Sequence, residues 1–231
     1  DGRISPDPIL VLESTESTEF GTGANANGDY NADGYSDLIY GEPGANNDTG
    51  AVYIHYGSVD GYTSTPDLTL SGLHEGARFG ASLALLGDAD GNGYDDLIVG
   101  APNQNNDTGN STGAVHLFTG FATGLNPGAI WMSTGDTIGG LFGSHVAPAG
   151  DVDADGYADF MVSEMGWEGS DEGLGRVHIY LGNSTIESES TKIDGHEDDL
   201  ILGYSILGVG DGNGDGFDDI VIGSSKDQTD V

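Results

Sequence analysis

Short apolar runs recur along the chain, separated by polar stretches rich in turn-forming residues, and no window keeps an apolar period of 3.6. Helix is therefore expected to be nearly absent. The runs Leu38 to Tyr40, Leu97 to Val99, Phe160 to Val162 and Ile220 to Ile222 are continuous, the pattern of strands covered on both faces. Runs starting at Val52, Val115 and Val177 mix aliphatic with aromatic or polar side chains, as expected farther from a central core. A further apolar run follows each, at Leu68 to Leu70, Ile130 to Met132 and Thr191 to Ile193, and Pro8 to Leu12 occupies the same phase ahead of the first.

These runs belong to a repeat. Similar segments begin at Gly28, Gly87, Gly150 and Gly210, spaced 59, 63 and 60 residues apart. A second landmark keeps the phase: Phe20-Gly21, Phe79-Gly80, Phe142-Gly143 and, without the aromatic, Leu202-Gly203. Four strands in each sixty-residue unit predict an all-β chain, a β-propeller built from four-stranded blades. A β-sandwich would not explain so long a period. The expected units are 20–78, 79–141, 142–201 and a partial 202–231, with 1–19 supplying a strand of a preceding or closing blade. The last unit lacks its third strand, so the array reads as open there, with exposed strand edges available for self-association.

Composition agrees and adds one feature. Glycine at 41 of 231 residues, without collagen's period, suits many tight turns. The absence of cysteine rules out disulfides and thiolate metal sites. The added feature is charge: 39 acidic against 5 basic residues give a net charge of −34, a surface that repels nucleic acid and anionic lipid. No run of 18 apolar residues is present to insert into a bilayer.

Part of that charge is concentrated in the four repeated loops. Counting the first carboxylate as position 1, positions 1, 3, 5 and 9 are Asp29, Asn31, Asp33 and Asp37 in the first loop and Asp88, Asp90, Asn92 and Asp96 in the second. They are Asp151, Asp153, Asp155 and Asp159 in the third and Asp211, Asn213, Asp215 and Asp219 in the fourth. Position 6 is always glycine. Alternating oxygen side chains on a curling backbone, with a carbonyl offered at position 7 by Tyr35, Tyr94, Tyr157 or Phe217, is how a chain wraps Ca²⁺. The position-7 rings are left free to pack in the core. An EF-hand would need a bidentate glutamate at position 12, where Tyr40, Val99, Val162 and Ile222 stand inside strands. Asp and Asn also favour turns without any ion, but four copies in phase favour up to four Ca²⁺ sites. Four ions would leave a formal charge of −26, so they account for only part of the acidity. The rest suits a well-hydrated surface in salty surroundings or, equally, an ordinary soluble surface.

The landmark Phe-Gly, the loop Gly-Asp-x-Asp-x-Asn-Gly-Tyr-Asp-Asp-Leu-Ile-Val and Gly-Ala-Pro, complete from Phe79 to Pro102, resemble the FG-GAP repeat of integrin α-subunit N-terminal propellers. Departures fall on the last element, which becomes Gly41-Glu42-Pro43, Ser163-Glu164-Met165 and Gly223-Ser224-Ser225. The resemblance implies a segment of a seven-bladed propeller, calcium in hairpin loops at one rim, and an extracellular or cell-surface adhesion or protein-interaction role toward a protein or glycan ligand. A carbohydrate-binding or carbohydrate-active accessory module and an architectural repeat of a large surface protein are the alternatives. Sequons at Asn47, Asn106, Asn110 and Asn183 agree with export and N-glycosylation. His55, His116 and His178 read as packing residues, and Trp131 and Trp167 as packing or sugar-stacking ones. No nucleophile motif or phosphate loop is present, so no enzymatic activity is expected.

Overall fold

The computed structural model describes residues 11–12, 19–21, 25–168, 174–186, 189–196 and 200–226. Of the strand expected over Pro8 to Leu12 only Val11 and Leu12 are described, and they lie in no strand; the rest of it, and most of 1–19, lie outside the described residues. The described chain is all-β apart from one turn, Ala45–Asp48, with left-handed φ of 52°, 58° and 58° at Asn46, Asn47 and Asp48. Asn and Asp are the non-glycine residues that best tolerate that region.

Two sheets are four-stranded antiparallel meanders: β1 (Asn25–Gly28), β2 (Asp37–Glu42), β3 (Ala51–His55) and β4 (Leu68–Ser71), then β5 (Ser82–Gly87), β6 (Asp96–Ala101), β7 (Ala114–Phe118) and β8 (Trp131–Thr134). The third meander comprises β9 (Phe142–Gly150), β10 (Asp159–Glu168), β11 (Leu174–Tyr180) and β12 (Glu189–Asp194). The hairpin β13 (Leu200–Gly210) and β14 (Asp219–Lys226) joins it through one parallel bridge, Leu174↔Ile201. The units are β-propeller blades, and their first strands β1, β5, β9 and β13 touch in succession.

Alternation of side chains explains why the second strand of each blade is apolar throughout. On β6, Leu97 and Val99, together with Phe79 of the same blade, enter a core shared with the first blade (Ile39, Val52, Ile54), while Ile98 enters one shared with the third (Phe142, Val146, Phe160, Val162). On β10, Phe160 and Val162 face back to the second blade and Met161 faces Ile206, Ile220 and Ile222 of the fourth. Burying one such side chain contributes about 1.5–3 kcal/mol, and here both faces of the strand contribute. Trp131 belongs to this packing, with its ring edge-on to Phe160 and Tyr180 at centroid distances of 5.8 and 5.2 Å.

Blades are also joined by backbone. Gly50 bridges Phe79 and Gly113 bridges Phe142, both parallel, the same link that Leu174 and Ile201 make farther along. Phe79 N–H donates to Thr49 O at 3.1 Å, and Phe142 N–H to Thr112 O at 3.1 Å. The approach needs glycine: Gly113 has φ +85°, and a Cβ there would collide with the Phe142 carbonyl. Likewise a Cβ on Gly41 would strike Gly80 O, and one on Gly100 would strike Gly143 O. The Phe-Gly of one blade thus rests on the Gly-x-x element of the blade before it. Where that glycine is Ser163, its hydroxyl donates to Gly203 O at 2.7 Å instead.

Gly109, with φ +80° and open space around its missing Cβ, supplies a control for Gly113. Gly109→Ala is expected to cost only backbone strain, about 1–2 kcal/mol, lowering Tm by about 2–8 °C. Gly113→Ala should lower Tm by clearly more. Equal shifts in a calorimetric scan would refute the close inter-blade contact.

Candidate metal loops

Each repeated loop joins the first two strands of a blade, and all four close through the same bonds. The position-1 carboxylate accepts the position-5 N–H at 2.9, 2.8, 3.0 and 3.1 Å from Asp33, Asn92, Asp155 and Asp215. Its second oxygen accepts the glycine N–H of position 6 at 2.8, 2.8, 2.9 and 3.0 Å. Position 5 accepts the N–H of position 7 at 2.8–3.0 Å, and Asn31, Asp90 and Asn213 at position 3 accept the N–H of position 5. Gly34, Gly93, Gly156 and Gly216 all sit at φ near +90°, with nothing near a would-be Cβ. Glycine is required at position 6 for conformation, not for space.

Position 9 differs from the rest. Asp37, Asp96 and Asp159 are fully buried at the start of the second strand. One oxygen accepts the N–H of loop position 2: Tyr30 at 2.8 Å, Ala89 at 2.9 Å and Val152 at 2.7 Å. The other accepts a glycine N–H just beyond the third strand: Gly57 at 2.9 Å, Gly120 at 3.0 Å and Gly182 at 2.7 Å. These glycines are anchor points the sequence reading missed. Their signal was a glycine at the same offset after each third strand, needed because a Cβ would collide with Ser36 O, Asp95 O or Ala158 O. Asp219 keeps only the first bond among the described residues, to Gly212 N–H at 3.1 Å.

Carboxylates converge in two loops. One oxygen from each of Asp88, Asp90 and Asp96 lies within 4.8 Å of the other two, and Asp151, Asp153 and Asp159 are arranged alike. In the other loops position 3 is Asn31 or Asn213, so an amide oxygen takes the third carboxylate's place. Asp33, Asn92, Asp155 and Asp215 stay tied to the backbone of position 7 and lie outside the two converging triads. Burial pushes the Asp96 carboxyl up to about 7 and that of Asp159 to about 6, with neighbouring carboxylates adding to the rise. Burial also raises Asp37, Asp90 and Asp153. Hard oxygen acceptors carrying uncompensated negative charge fit a divalent cation such as Ca²⁺.

The position-7 rings correct one expectation. Tyr35 and Phe217 are exposed and Tyr94 and Tyr157 only half-buried, so none enters the core. The backbone at this position turns outward to offer its carbonyl, which carries the ring to the rim. The Tyr157 ring lies over Gly91 of the preceding loop.

The other singled-out residues are placed as follows. Asn47 is exposed in the left-handed turn, while Asn106, Asn110 and Asn183 are half-buried in loops. Asn106 accepts from Thr108 and Asn183 from Thr185, so both sequons form compact turns. The histidines are buried packing residues with polar partners: His55 bonds Thr63 O at 2.9 Å and His116 bonds Gln104 at 2.8 Å. His178 bonds the buried Glu164 at 3.0 Å. Glu164 fits where the aligned residue is Ala101 because Gly140 leaves room for it; a Cβ on Gly140 would collide with Glu164 Oε1. Trp167 carries the Arg176 guanidinium 3.9 Å above its ring.

The FG-GAP repeat family matches residues 22–55, 79–118 and 142–180. The chain is 34% identical over 194 residues to integrin alpha-5 of Xenopus laevis, covering 71% of this chain and 18% of that protein. It is 31% identical to integrin alpha-V of Gallus gallus over 85% of this chain and 19% of that protein. It is 32% identical to phosphatidylinositol-glycan-specific phospholipase D of Mus musculus over 78% of this chain and 24% of that protein. The chain thus spans less than a quarter of the length of these relatives.

The buried carboxyls give a pH signature. An unfolded Asp titrates near pH 4, so between about pH 4 and 7 the cation-free folded state holds protons that the unfolded chain has lost. Stability from this source is complete below about pH 4 and is lost as pH rises through the folded values. Chelator-treated protein should melt several degrees higher at pH 5 than at pH 7.5, with a smaller difference in Asp96→Asn. A melting temperature that rises over this range would contradict the assignment.

Proposed function

Starting from a chain that carries three FG-GAP repeats and is similar to integrin α-subunits, we propose that it is an extracellular, calcium-stabilised β-propeller segment. In this reading it acts in adhesion or protein interaction at a cell surface. The observation that carries the calcium part is the convergence of three carboxylates at Asp88, Asp90 and Asp96 and again at Asp151, Asp153 and Asp159. The interaction part rests on the similarity to integrins. Among the described residues no helix is long and apolar enough to cross a membrane.

Position 1 and position 9 would be the fixed ligands, because the backbone bonds already orient both. Position 3 already converges with them in the second and third loops, position 5 would close from the solvent side, and the position-7 carbonyl would complete the set. Bound calcium would offset the mutual repulsion of the loop carboxylates and add its binding free energy to folding. The role is structural: the ion ties the hairpin joining the first two strands, and the hairpin fixes the rim where a ligand docks.

The part shared with the phospholipase relative is taken as non-catalytic, since among the described residues the loop carboxylates are bonded to backbone N–H groups and loop amides rather than to a hydroxyl or imidazole. Trp131 is committed to the blade interface, which leaves the protein-interaction reading ahead of a sugar-stacking one. Exposure of Asn47 is compatible with glycan attachment there.

The third loop has four Asp ligands and should bind calcium most tightly. By equilibrium dialysis, Asp151→Ala should bind one ion fewer than the parent protein and unfold at lower temperature in calcium. Unchanged stoichiometry and stability would refute the site.

A further inference from the structure

Neighbouring loops meet across the blade interfaces, and they do not all meet alike. The residue at position 8, just before the buried Asp, is Ser36, Asp95, Ala158 or Asp218. Asp218 reaches from the fourth loop to the first ligand of the third: its carboxylate accepts the Asp151 N–H at 3.0 Å, and its own N–H donates to Asp151 O at 3.0 Å. Gly150 makes room, since a Cβ there would collide with the Asp218 carboxylate. Asp95 makes the carboxylate part of this link from the second loop to the first, accepting the Asp29 N–H. Between the second and third loops only the backbone part exists, Ala158 N–H to Asp88 O at 3.1 Å. The methyl group of Ala158 faces Gly87 where a carboxylate would otherwise reach.

We propose that these two carboxylates couple the cation loops in pairs, first with second and third with fourth, and leave the second and third uncoupled. The proposal rests on the calcium reading above. Asp95 and Asp218 are each bonded to a position-1 ligand of one loop and are covalently next to the position-9 ligand of the other, Asp96 or Asp219. Without cations, clustered negative charge works against closure of both loops. Occupancy of either loop fixes the shared carboxylate and the backbone it grips, so its partner closes with part of its ordering already done. The carboxylate's negative charge also lies between the two sites and offsets the repulsion of two bound cations.

Each position-6 glycine N–H is bonded to its own loop's first carboxylate, so the amide resonances of Gly34, Gly93, Gly156 and Gly216 report the loops one at a time in a calcium titration. Asp153→Ala disables the third loop at an exposed ligand. The calcium midpoint of Gly216 should then rise about five-fold or more, with that of Gly93 unchanged. Asp90→Ala should likewise raise the midpoint of Gly34 and leave Gly156 alone. Ala158→Asp, combined with Asp153→Ala, should make Gly93 respond as Gly216 does. Equal responses on both sides of the disabled loop, no response on either side, or no gain from Ala158→Asp would each overturn the pairing. Failure of all four glycines to respond to calcium in the parent protein would instead remove the calcium reading beneath it.

Discussion

The buried carboxylate at loop position 9 accepts two backbone N–H groups that lie far apart along the chain, one from the loop and one from the end of the third strand. Every other feature of the loops is arranged around it. Asp37, Asp96 and Asp159 bring three segments of a blade to one point, and they do so with a charge removed from water. Two hydrogen bonds meet only part of the demand of a buried carboxylate, and burial raises its affinity for a proton. The neighbouring carboxylates at positions 1 and 3 make the shortage of positive charge worse. A blade that keeps this group buried therefore carries unbalanced negative charge at the point where its three segments meet.

The stacking of blades rests on the opposite chemistry, an absence of side chains. Gly80 and Gly143 of the Phe-Gly pairs, Gly41 and Gly100 of the Gly-x-x elements, and Gly50 and Gly113 before the third strands lie where backbones of successive blades touch. The apolar cores on either side of β6 and β10 then close over these contacts. Loop and interface are one problem, because position 8 of a loop lies on the interface and position 9 lies in the blade. Charge at the rim thus has a direct route to the packing between blades.

Much of this was legible from the residues. Period, strand order, two-sided burial of Leu97 to Val99 and the composition of the loops follow from local pattern, because each is set within one hairpin. What escaped reading lies between units. The fit of Glu164 against Gly140 links blades, as does the grip of Asp218 on Asp151, 67 residues away. Single letters at such positions carry no pattern until the chain is folded. The anchoring role of Gly57, Gly120 and Gly182 was available as a repeated glycine, but one among 41 glycines does not stand out. The outward turn of Tyr35 and Phe217 shows the limit of an aromatic-means-core rule where the backbone carbonyl has its own task.

The central claim is that the loop carboxylates require specific divalent charge rather than general screening. Thermal unfolding with millimolar Ca²⁺ and with chelator, each at low and high NaCl, tests it most directly. Several sites filled to 100 times their dissociation constants would each add about 2.7 kcal/mol, and together should raise Tm by at least about 10 °C. That rise should persist at high NaCl, where surface repulsion is already screened. A melting temperature raised by NaCl but indifferent to Ca²⁺ at every salt level would contradict the account and reduce the loops to acidic turns.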